Sequence, residues 1–287
     1  MKVLVTGIAG QLGFDVVRQL DRLRIENKGV DLQDFDLTDQ TAVMKAVSEY
    51  HPDVIVHCAA YTNVDKAETE PETCCAVNGG GTVNLVRAAL AVNAALLYVS
   101  TDYVFPGNGT EPFETDFPVG PKNVYGLSKL QGEEAVRGLM TRYWIVRTSW
   151  VFGLNGRNFV RTMLRLGREK SELTVVDDQT GSPTYTPDLA RVICDLIRGD
   201  RYGVYHATND GFCTWADFAA EIMRQSGRSC AIRRVTSEEY AGSQTKRPKN
   251  SRLSKKSLVQ AGVTPPQRWQ DALSAYLIEL REVEGLV

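Results

Sequence analysis

The stretch Val3-Leu-Val-Thr-Gly7-Ile-Ala-Gly10-Gln-Leu-Gly13, near the start of the chain, decides the fold. A short apolar run leads into glycines spaced G-x-x-G-x-x-G, and an amphipathic helical pattern follows. Glycines permit a tight turn and let backbone N–H groups approach a pyrophosphate at the positive N-terminus of a helix. Gly13 would also let that helix pack closely against the strand. The stretch therefore predicts a dinucleotide-binding loop at the start of an α/β domain.

The rest of the first half repeats this alternation of strand and helix. Apolar, partly β-branched runs at residues 3–5, 54–58, 96–99 and 144–146 are separated by segments with helical periodicity. Buried parallel strands have such continuous apolar sequences because helices cover both faces of the sheet. The pattern predicts an α/β fold, in which a Rossmann-like doubly wound parallel sheet is joined by a small C-terminal substrate-binding lobe.

The second half of the sequence is less regular. It predicts a strand at 174–176 and helices at 187–198 and 269–280, and Thr214 has the spacing of a helix N-cap with Asp217. The polar, basic stretch 243–254 is typical of a loop. We therefore divide the chain into an NAD(P)-binding domain at 1–153 and an interleaved substrate-binding lobe at 154–287. A helix at 187–200 is predicted to return to the first domain.

Composition excludes several classes of protein. Of the 287 residues, 43% are hydrophobic and 24% charged, which is ordinary for a folded domain. The net charge of −2 leaves no global basic footprint for nucleic acid, and no apolar run approaches the roughly 20 residues of a membrane helix. With no signal-peptide pattern at the start, we expect a cytoplasmic protein with reduced cysteines. The three histidines lack the spacing of a zinc site, so no metal is predicted.

An acidic residue follows the glycine loop at the distance expected for binding the adenosine ribose. Asp31 lies 31 − 13 = 18 residues after Gly13, close to the interval of about 20 in dinucleotide-binding folds. Its carboxylate would accept hydrogen bonds from the ribose hydroxyls and repel a 2′-phosphate, which favours NADH. Lys28 could instead serve that phosphate, so the sequence leaves NADPH or NADH open.

Tyr125 and Lys129 form a Y-x-x-x-K pair, which places both side chains on one face of a helix. A nearby ammonium favours the phenolate, so Lys129 would make Tyr125 a usable proton donor or acceptor near neutral pH. Thr101 follows the apolar run 96–99, at a strand end where α/β sheets place their ligand crevice. Such a pair alone is common by chance, but with Thr101 and the glycine loop it predicts a catalytic set.

Together these motifs resemble the extended short-chain dehydrogenases/reductases and, within them, the dTDP-4-dehydrorhamnose reductase family. The resemblance covers nearly the whole chain. The matching segments are Gly7-Ile-Ala-Gly-Gln-Leu-Gly13, Ala59-Ala-Tyr-Thr-Asn-Val-Asp-Lys-Ala-Glu68, Ser100-Thr-Asp-Tyr-Val-Phe105, Tyr125-Gly-Leu-Ser-Lys129, Arg147-Thr-Ser-Trp-Val-Phe152, Gly181-Ser-Pro-Thr184 and Arg247-Pro-Lys-Asn-Ser-Arg-Leu253.

The resemblance implies hydride transfer from NADPH or NADH to the C4 ketone of a dTDP-sugar, dTDP-4-dehydro-L-rhamnose. Tyr125 would protonate the alkoxide, Lys129 would hold the nicotinamide ribose, and Thr101 would adjust the pKa of the tyrosine. The implied cofactor contacts are Gly7, Gly10, Gln11, Leu12, Gly13, Asp31, Asp36, Leu37, Ala60, Tyr61, Thr62, Tyr125 and Lys129. The implied substrate contacts are Val64, Thr101, Asp102, Tyr103, Trp150 and Arg247.

Several alternatives stay open at this point. Related dehydratases carry Thr-Asp-Glu where this chain has Thr101-Asp102-Tyr103, so the missing glutamate disfavours dehydration. Another nucleotide-sugar reductase, an epimerase, or a non-catalytic subunit resembling the β subunit of methionine adenosyltransferase would share the fold. Trp150 could equally be a core residue, since tryptophans are mostly buried. Arg247 could be a solvated arginine rather than a ligand of the substrate diphosphate.

The oligomeric state is also open, as a monomer or a homodimer. Some relatives dimerise around magnesium held by acidic residues, and Asp15 and Glu279 stand at plausible matching positions. Pro187 replaces the third acid, so the metal is not predicted and the dimer is in doubt.

Overall fold

The computed structural model describes residues 1–240 and 245–284 of the chain. Its strands are β1 Lys2–Thr6, β2 Glu26–Val30, β3 Val54–His57, β4 Ala95–Thr101, β5 Tyr143–Thr148, β6 Val151–Phe152, β7 Glu172–Val176, β8 Thr180–Gly181, β9 Thr184–Tyr185, β10 Gly203–His206, β11 Cys213–Thr214 and β12 Ala231–Val235. Its α-helices are α1 Gln11–Arg22, α2 Gln40–Tyr50, α3 Val64–Thr69, α4 Pro71–Cys75, α5 Gly81–Ala91, α6 Val124–Leu139, α7 Phe159–Glu169, α8 Thr186–Ile197, α9 Trp215–Gln225, α10 Lys256–Gln260 and α11 Trp269–Glu284.

A six-stranded parallel sheet organises the first part of the molecule. Its strand order is β10-β5-β4-β3-β1-β2, with parallel pairing at every step. The order reverses at β1, which is where such sheets open a crevice beyond their carboxyl ends. The predicted Rossmann-like parallel sheet is thus confirmed, and the glycine loop leaves β1 at the crevice.

Helices cover both faces of this sheet. On one face α1 and α8 bury Val16, Leu20, Leu189 and Ile193 against β1, β3 and β5. On the other face α2 and α5 bury Val43, Val47, Leu85 and Val86. We call this sheet with α1–α6, α8 and α10 the sheet domain. The chain re-enters it after residue 153 through α8 and then β10, so the returning segment extends past the expected 187–200 as far as His206.

The remaining elements form a smaller C-terminal lobe around a second core. Short strand pairs β6–β9, β8–β11 and β7–β12 surround α7, α9 and α11. Aromatic side chains dominate the core, including Phe152, Tyr185, Phe218, Trp269 and Tyr276. Thr214 caps α9 through a capping box with Asp217, as its spacing predicts. No helix in the described ranges is long and apolar enough to span a membrane.

Candidate active site

A cleft of about 1140 Å³ opens beyond the carboxyl ends of the parallel strands, between the sheet domain and the C-terminal lobe. Every residue that the sequence assigns to cofactor or substrate lies along it: Gly7, Gly10, Gln11, Leu12, Gly13, Asp31, Asp36, Leu37, Ala60, Tyr61, Thr62, Val64, Thr101, Asp102, Tyr103, Tyr125, Lys129, Trp150 and Arg247. The structure therefore brings together residues that are up to 240 positions apart in sequence, as the difference 247 − 7 between Arg247 and Gly7 shows.

The glycine loop has the shape of a pyrophosphate cradle. Gly7 has a φ of +78°, and a Cβ there would lie 2.6 Å from the backbone nitrogen of Ala59. A Cβ on Gly13 would collide with the carbonyl of Gly7, so both positions require glycine. Gly10 stands at the N-cap of α1 and supplies no side-chain acceptor for the first N–H groups of the helix. Those donors can therefore bind an anion, and the loop fits a dinucleotide.

Asp31 lies beside this loop, at the end of β2. Its Oδ2 accepts a hydrogen bond of 2.8 Å from the N–H of Ala9, and its Oδ1 accepts one from the N–H of Leu32. The carboxylate is thus fixed at the edge of the cleft with part of its accepting capacity already used. Lys28 does not share the cleft: its ammonium lies 5.8 Å from the ring of Tyr50. That Lys28 serves a cofactor phosphate stays a prediction, which the lining of the cleft does not support.

The segment after β3 lines the middle of the cleft. The backbone N–H of Tyr61 donates to Oδ1 of Asn78 at 2.8 Å, and the Asn78 amide donates to the Tyr61 carbonyl at 3.0 Å. Asn78 belongs to the π-helical stretch Ala76–Gly80, which joins α4 to α5. A π-bulge of this kind often marks a functional site. Here it turns a buried amide onto the backbone that carries Ala60, Tyr61 and Thr62, a role with no sequence signal.

Thr101, Tyr125 and Lys129 meet at the centre of the cleft. Thr101 ends β4, and its Oγ1 accepts from the N–H of Tyr103 at 3.2 Å and donates to Oδ1 of Asp102 at 3.0 Å. Tyr125 and Lys129 stand one turn apart on α6, whose start is capped by the Asn123 side chain. The Thr101 side chain lies close enough to that of Tyr125 to lower its pKa. The helix α6 thus brings Tyr125 and Lys129 to the carboxyl end of β4, beside Thr101.

The charges around Tyr125 differ from the expectation that Lys129 lowers its pKa. Burial raises the pKa of Tyr125, and the nearby Thr101 side chain offsets this rise only in part. Lys129 is 3% exposed, and burial lowers its pKa to about 7 while the nearby Glu133 carboxylate raises it. Its ammonium lies 4.0 Å from the ring centroid of Tyr98. In the protein alone the phenol is therefore held in its protonated form.

Asp102, Tyr103 and Arg247 form the side of the cleft that faces away from the glycine loop. Burial raises the pKa of Asp102 to about 6. The ring of Tyr103 meets that of Tyr125 edge to face, with centroids 5.4 Å apart. Arg247 is half-buried and pairs with Asp65 at 2.9 Å, so it is not the freely solvated arginine that the sequence also allowed.

Trp150 carries the most unusual backbone in the site. It has a φ of +50°, a left-handed conformation that is rare for a bulky residue. Its indole stacks on that of Trp215 with centroids 3.6 Å apart, and Gly181 lies on it so closely that a Cβ would come within 2.8 Å. The partly exposed indole lines the cleft, so the alternative of a core tryptophan is disfavoured. Sequence reasoning missed Trp215, because nothing local indicates a partner 65 residues away.

A second cleft of about 1180 Å³ adjoins the first along the C-terminal lobe. Tyr103, Phe159, Trp215 and Arg247 lie on both clefts, so the two are continuous. The second cleft adds Lys122, Lys246 and Lys249 to its lining. Part of the predicted loop, Ser243 and Gln244, lies outside the described residues. The arrangement gives one long groove with a cofactor-shaped end and an end rich in cations.

The acidic pair considered for magnesium is bridged by an arginine of the chain itself. Arg18 Nη1 lies 2.9 Å from Oδ1 of Asp15 and 2.9 Å from Oε1 of Glu279. Thr186 donates to the other oxygen of Asp15, and Tyr185 donates to the other oxygen of Glu279 at 2.6 Å. The guanidinium takes the position of a cation between the carboxylates, so these residues do not fit a metal ion. No cluster of three metal-binding side chains occurs within 1–240 and 245–284.

Comparisons with known proteins agree with this geometry. A family model described as RmlD substrate binding domain matches residues 1–282. The chain is 44% identical to the spore coat polysaccharide biosynthesis protein SpsK of Bacillus subtilis, covering 97% of both chains. It is 43% identical to a dTDP-4-dehydrorhamnose reductase of Streptomyces griseus, covering 94% of this chain and 91% of that one.

A solved structure extends the likeness to three dimensions. The dTDP-4-dehydrorhamnose reductase of Bacillus anthracis in complex with NADP superposes with a TM-score of 0.94 at 40% identity, over 97% of this chain and 99% of that one. The fit of the glycine loop to a dinucleotide and the whole-length likeness thus point to the same group of proteins. The chain belongs to the RmlD substrate binding domain family, as the resemblance of its motifs predicts.

Proposed function

We propose that this chain reduces the C4 ketone of dTDP-4-dehydro-L-rhamnose with NAD(P)H, giving dTDP-L-rhamnose in the last step of dTDP-rhamnose synthesis for surface polysaccharide. The observation that carries the proposal is the meeting of Thr101, Tyr125 and Lys129 with the glycine loop in one cleft. The cytoplasm is the proposed compartment, in keeping with six cysteines that are all unpaired thiols.

Bound NAD(P)H would supply the hydride for the C4 carbon. The residues of the chain then act on the oxygen: as negative charge develops there, the Tyr125 hydroxyl donates its proton. Because burial raises the pKa of Tyr125, the phenol is protonated beforehand, as a donor must be. The Thr101 side chain, next to Tyr125, would help to orient that hydroxyl. Lys129 would bind the nicotinamide ribose, and solvent would return the proton to Tyr125 after product leaves.

The substrate would lie across the junction of the two clefts. Its sugar would stand between Tyr125 and the Trp150–Trp215 stack, where an indole face suits the apolar face of a deoxysugar ring. The dTDP part would extend into the second cleft. Arg247 would exchange its contact with Asp65 for the diphosphate oxygens, which a guanidinium can bind in bidentate fashion.

An NAD(P)H oxidation assay with purified chain and dTDP-4-dehydro-L-rhamnose, run with each cofactor in parallel, tests the proposal. We expect one equivalent of cofactor to be oxidised for each dTDP-L-rhamnose formed, with no oxidation when the sugar nucleotide is omitted. An epimerase returns its hydride, so turnover of the sugar without net cofactor oxidation would contradict the proposal. Absence of sugar-dependent oxidation, together with tight binding to a protein partner, would instead favour a regulatory subunit.

A further inference from the structure

A buried carboxylate, Glu133, lies one helical turn after Lys129 on α6. Tyr125, Lys129 and Glu133 follow one another at intervals of four along α6, so all three lie near one face of the helix. The Glu133 side chain is 0% exposed, and Lys129 is 3% exposed. We propose that Glu133 is a positioning residue that acts through Lys129, an inference that rests on the proposed function. Glu133 keeps the Lys129 ammonium charged, and it holds α6 in place against the strand that carries Thr101.

Four donors hold Glu133 in one orientation. Ser100 Oγ donates to Oε1 at 2.6 Å, and Arg147 donates through Nε to Oε1 at 2.8 Å and through Nη2 to Oε2 at 2.7 Å. Arg137 adds a contact to Oε2 at 3.1 Å. A bidentate guanidinium and a hydroxyl satisfy a carboxylate that water cannot reach. The carboxylate is therefore a fixed, desolvated charge rather than a mobile one.

These contacts join α6 to the strands at the catalytic end of the sheet. Ser100 immediately precedes Thr101 on β4, and Arg147 lies on the neighbouring strand β5. Arg147 is itself fully buried and also donates to the carbonyl of Thr115. The cluster thus fixes the helix that carries Tyr125 and Lys129 against the strand that carries Thr101. A displacement of about 1 Å between catalytic groups can cost two orders of magnitude in rate, so this tie matters for the chemistry.

The electrostatic part of the inference follows from what faces Lys129. Those groups are Glu133 and Tyr125 on its own helix, His57 and Cys58 from the β3 end, Cys74 from α4 and Tyr98 from β4. Burial raises the pKa of Cys58 to about 12 and lowers that of His57 to about 3, so both are neutral near pH 7. Among the groups that raise the pKa of Lys129, Glu133 is the carboxylate and the others are the thiols of Cys58 and Cys74. Arg137 and Arg147 contact the carboxylate from the other side, so their positive charges oppose part of its effect on Lys129.

Replacement of the carboxylate by an amide separates this role from a purely structural one. In Glu133→Gln the alkaline limb of kcat/KM, where Lys129 loses its proton, is expected to move at least about one pH unit lower, the size of effect that one nearby charge produces. Rates at the acid end of the profile should approach those of the parent. The exposed neighbour offers a matched control, since Glu134→Gln removes the same charge from the helix surface and should leave the limb in place.

Loss of Glu133 leaves Arg147 buried without its partner, which can prevent folding. The double variant Glu133→Gln/Arg147→Met removes both charges, and Ser100→Ala loosens the carboxylate while retaining it. We expect the double variant to shift the limb in the same direction but by less, because it also removes the positive charge of Arg147. Ser100→Ala should show a lower kcat with the limb unmoved.

A readout without turnover distinguishes failure of this inference from failure of the proposed function. The pH titration of lysine Cε resonances in ¹³C-lysine-labelled protein, with Lys129→Ala assigning the signal, gives the midpoint of Lys129 directly. A lower midpoint in Glu133→Gln, but not in Glu134→Gln, supports the inference even if the sugar nucleotide proves to be wrong. The inference would be overturned if the titration midpoint of Lys129 were the same in the parent and in Glu133→Gln, or in the double variant where Glu133→Gln alone does not fold. This holds whatever the activity of the variants.

Discussion

Two regions of the cleft hold their site residues in different ways. The sheet domain presents Tyr125 and Lys129 from one helix that is tied to buried strands through Glu133. The C-terminal lobe presents Trp215 from the first turn of a helix and Arg247 from a loop, both on the groove surface. The difference indicates that the proposed chemistry is built on buried, hydrogen-bonded elements, whereas the proposed recognition of the sugar nucleotide depends on groove-surface contacts of the C-terminal lobe.

Loss of the Tyr125 hydroxyl should have the largest effect. Tyr125→Phe keeps the ring and its contact with Tyr103 but removes the proton donor. We expect kcat to fall about 10²–10⁴-fold, the usual contribution of a positioned acid, while cofactor affinity in a fluorescence titration changes little. Tyr103→Phe is the matched control: as a proposed substrate contact it should change KM, but it should retain most of kcat. A kcat near that of the parent in Tyr125→Phe would show that another group protonates the substrate.

The frame of the sheet domain could be predicted from sequence because its signals are local. Buried parallel strands are continuous apolar runs, and the run predicted at 96–99 lies within Ala95–Thr101. The G-x-x-G-x-x-G and Y-x-x-x-K spacings likewise place residues through short-range backbone geometry. The predicted family is confirmed over residues 1–282.

The lobe was harder to predict because its contacts are not local. Strands of two residues, such as Val151–Phe152 and Thr184–Tyr185, exist only through their pairing with each other and leave no periodic pattern. The stack of Trp150 on Trp215 and the bridge from Arg18 to Glu279 join residues far apart in sequence. The raised pKa of Tyr125 also needed the structure, since burial cannot be judged from the spacing to Lys129.

The next largest effect is expected on stability, at the bridge that joins Arg18 of the sheet domain to Glu279 of the C-terminal lobe. Arg18→Met leaves Asp15, which is almost fully buried, facing Glu279 without a cation. Removal of one partner of a buried pair typically costs about 3–5 kcal/mol, and the partial exposure of Arg18 lowers our expectation to about 2 kcal/mol of unfolding free energy in urea. Arg22→Met, on the exposed side of the same helix, should change little. Magnesium should stabilise Arg18→Met but not the parent, and an equal response of both proteins would contradict the bridge.

Trp215 tests the recognition half of the comparison directly. Trp215→Ala removes the face against which Trp150 stacks, and such aromatic pairs contribute about 0.5–1.5 kcal/mol. We expect KM for the sugar nucleotide to rise up to about tenfold, with kcat within about twofold of the parent, because Trp215 lies outside the Thr101–Tyr125–Lys129 set. Trp215→Phe, which keeps a ring there, should restore most of the affinity. A fall in kcat with unchanged KM would place Trp215 with the chemistry instead.

The smallest expected effect concerns Asp31, through which the sheet domain is proposed to recognise the cofactor. Its carboxylate already accepts from Ala9 and Leu32, so the ribose hydroxyls compete for the accepting capacity that is left. Asp31→Ala should therefore lower the affinity for NADH only about fivefold, the range of one hydrogen bond. The affinity for NADPH should fall less, because the same change removes repulsion of the 2′-phosphate. Asp34→Ala controls for the shape of the loop, because Asp34 Oδ2 accepts a hydrogen bond from the Asp31 N–H but Asp34 does not line the cleft. Equal losses for both cofactors in a titration would show that Asp31 shapes the glycine loop and does not read the ribose.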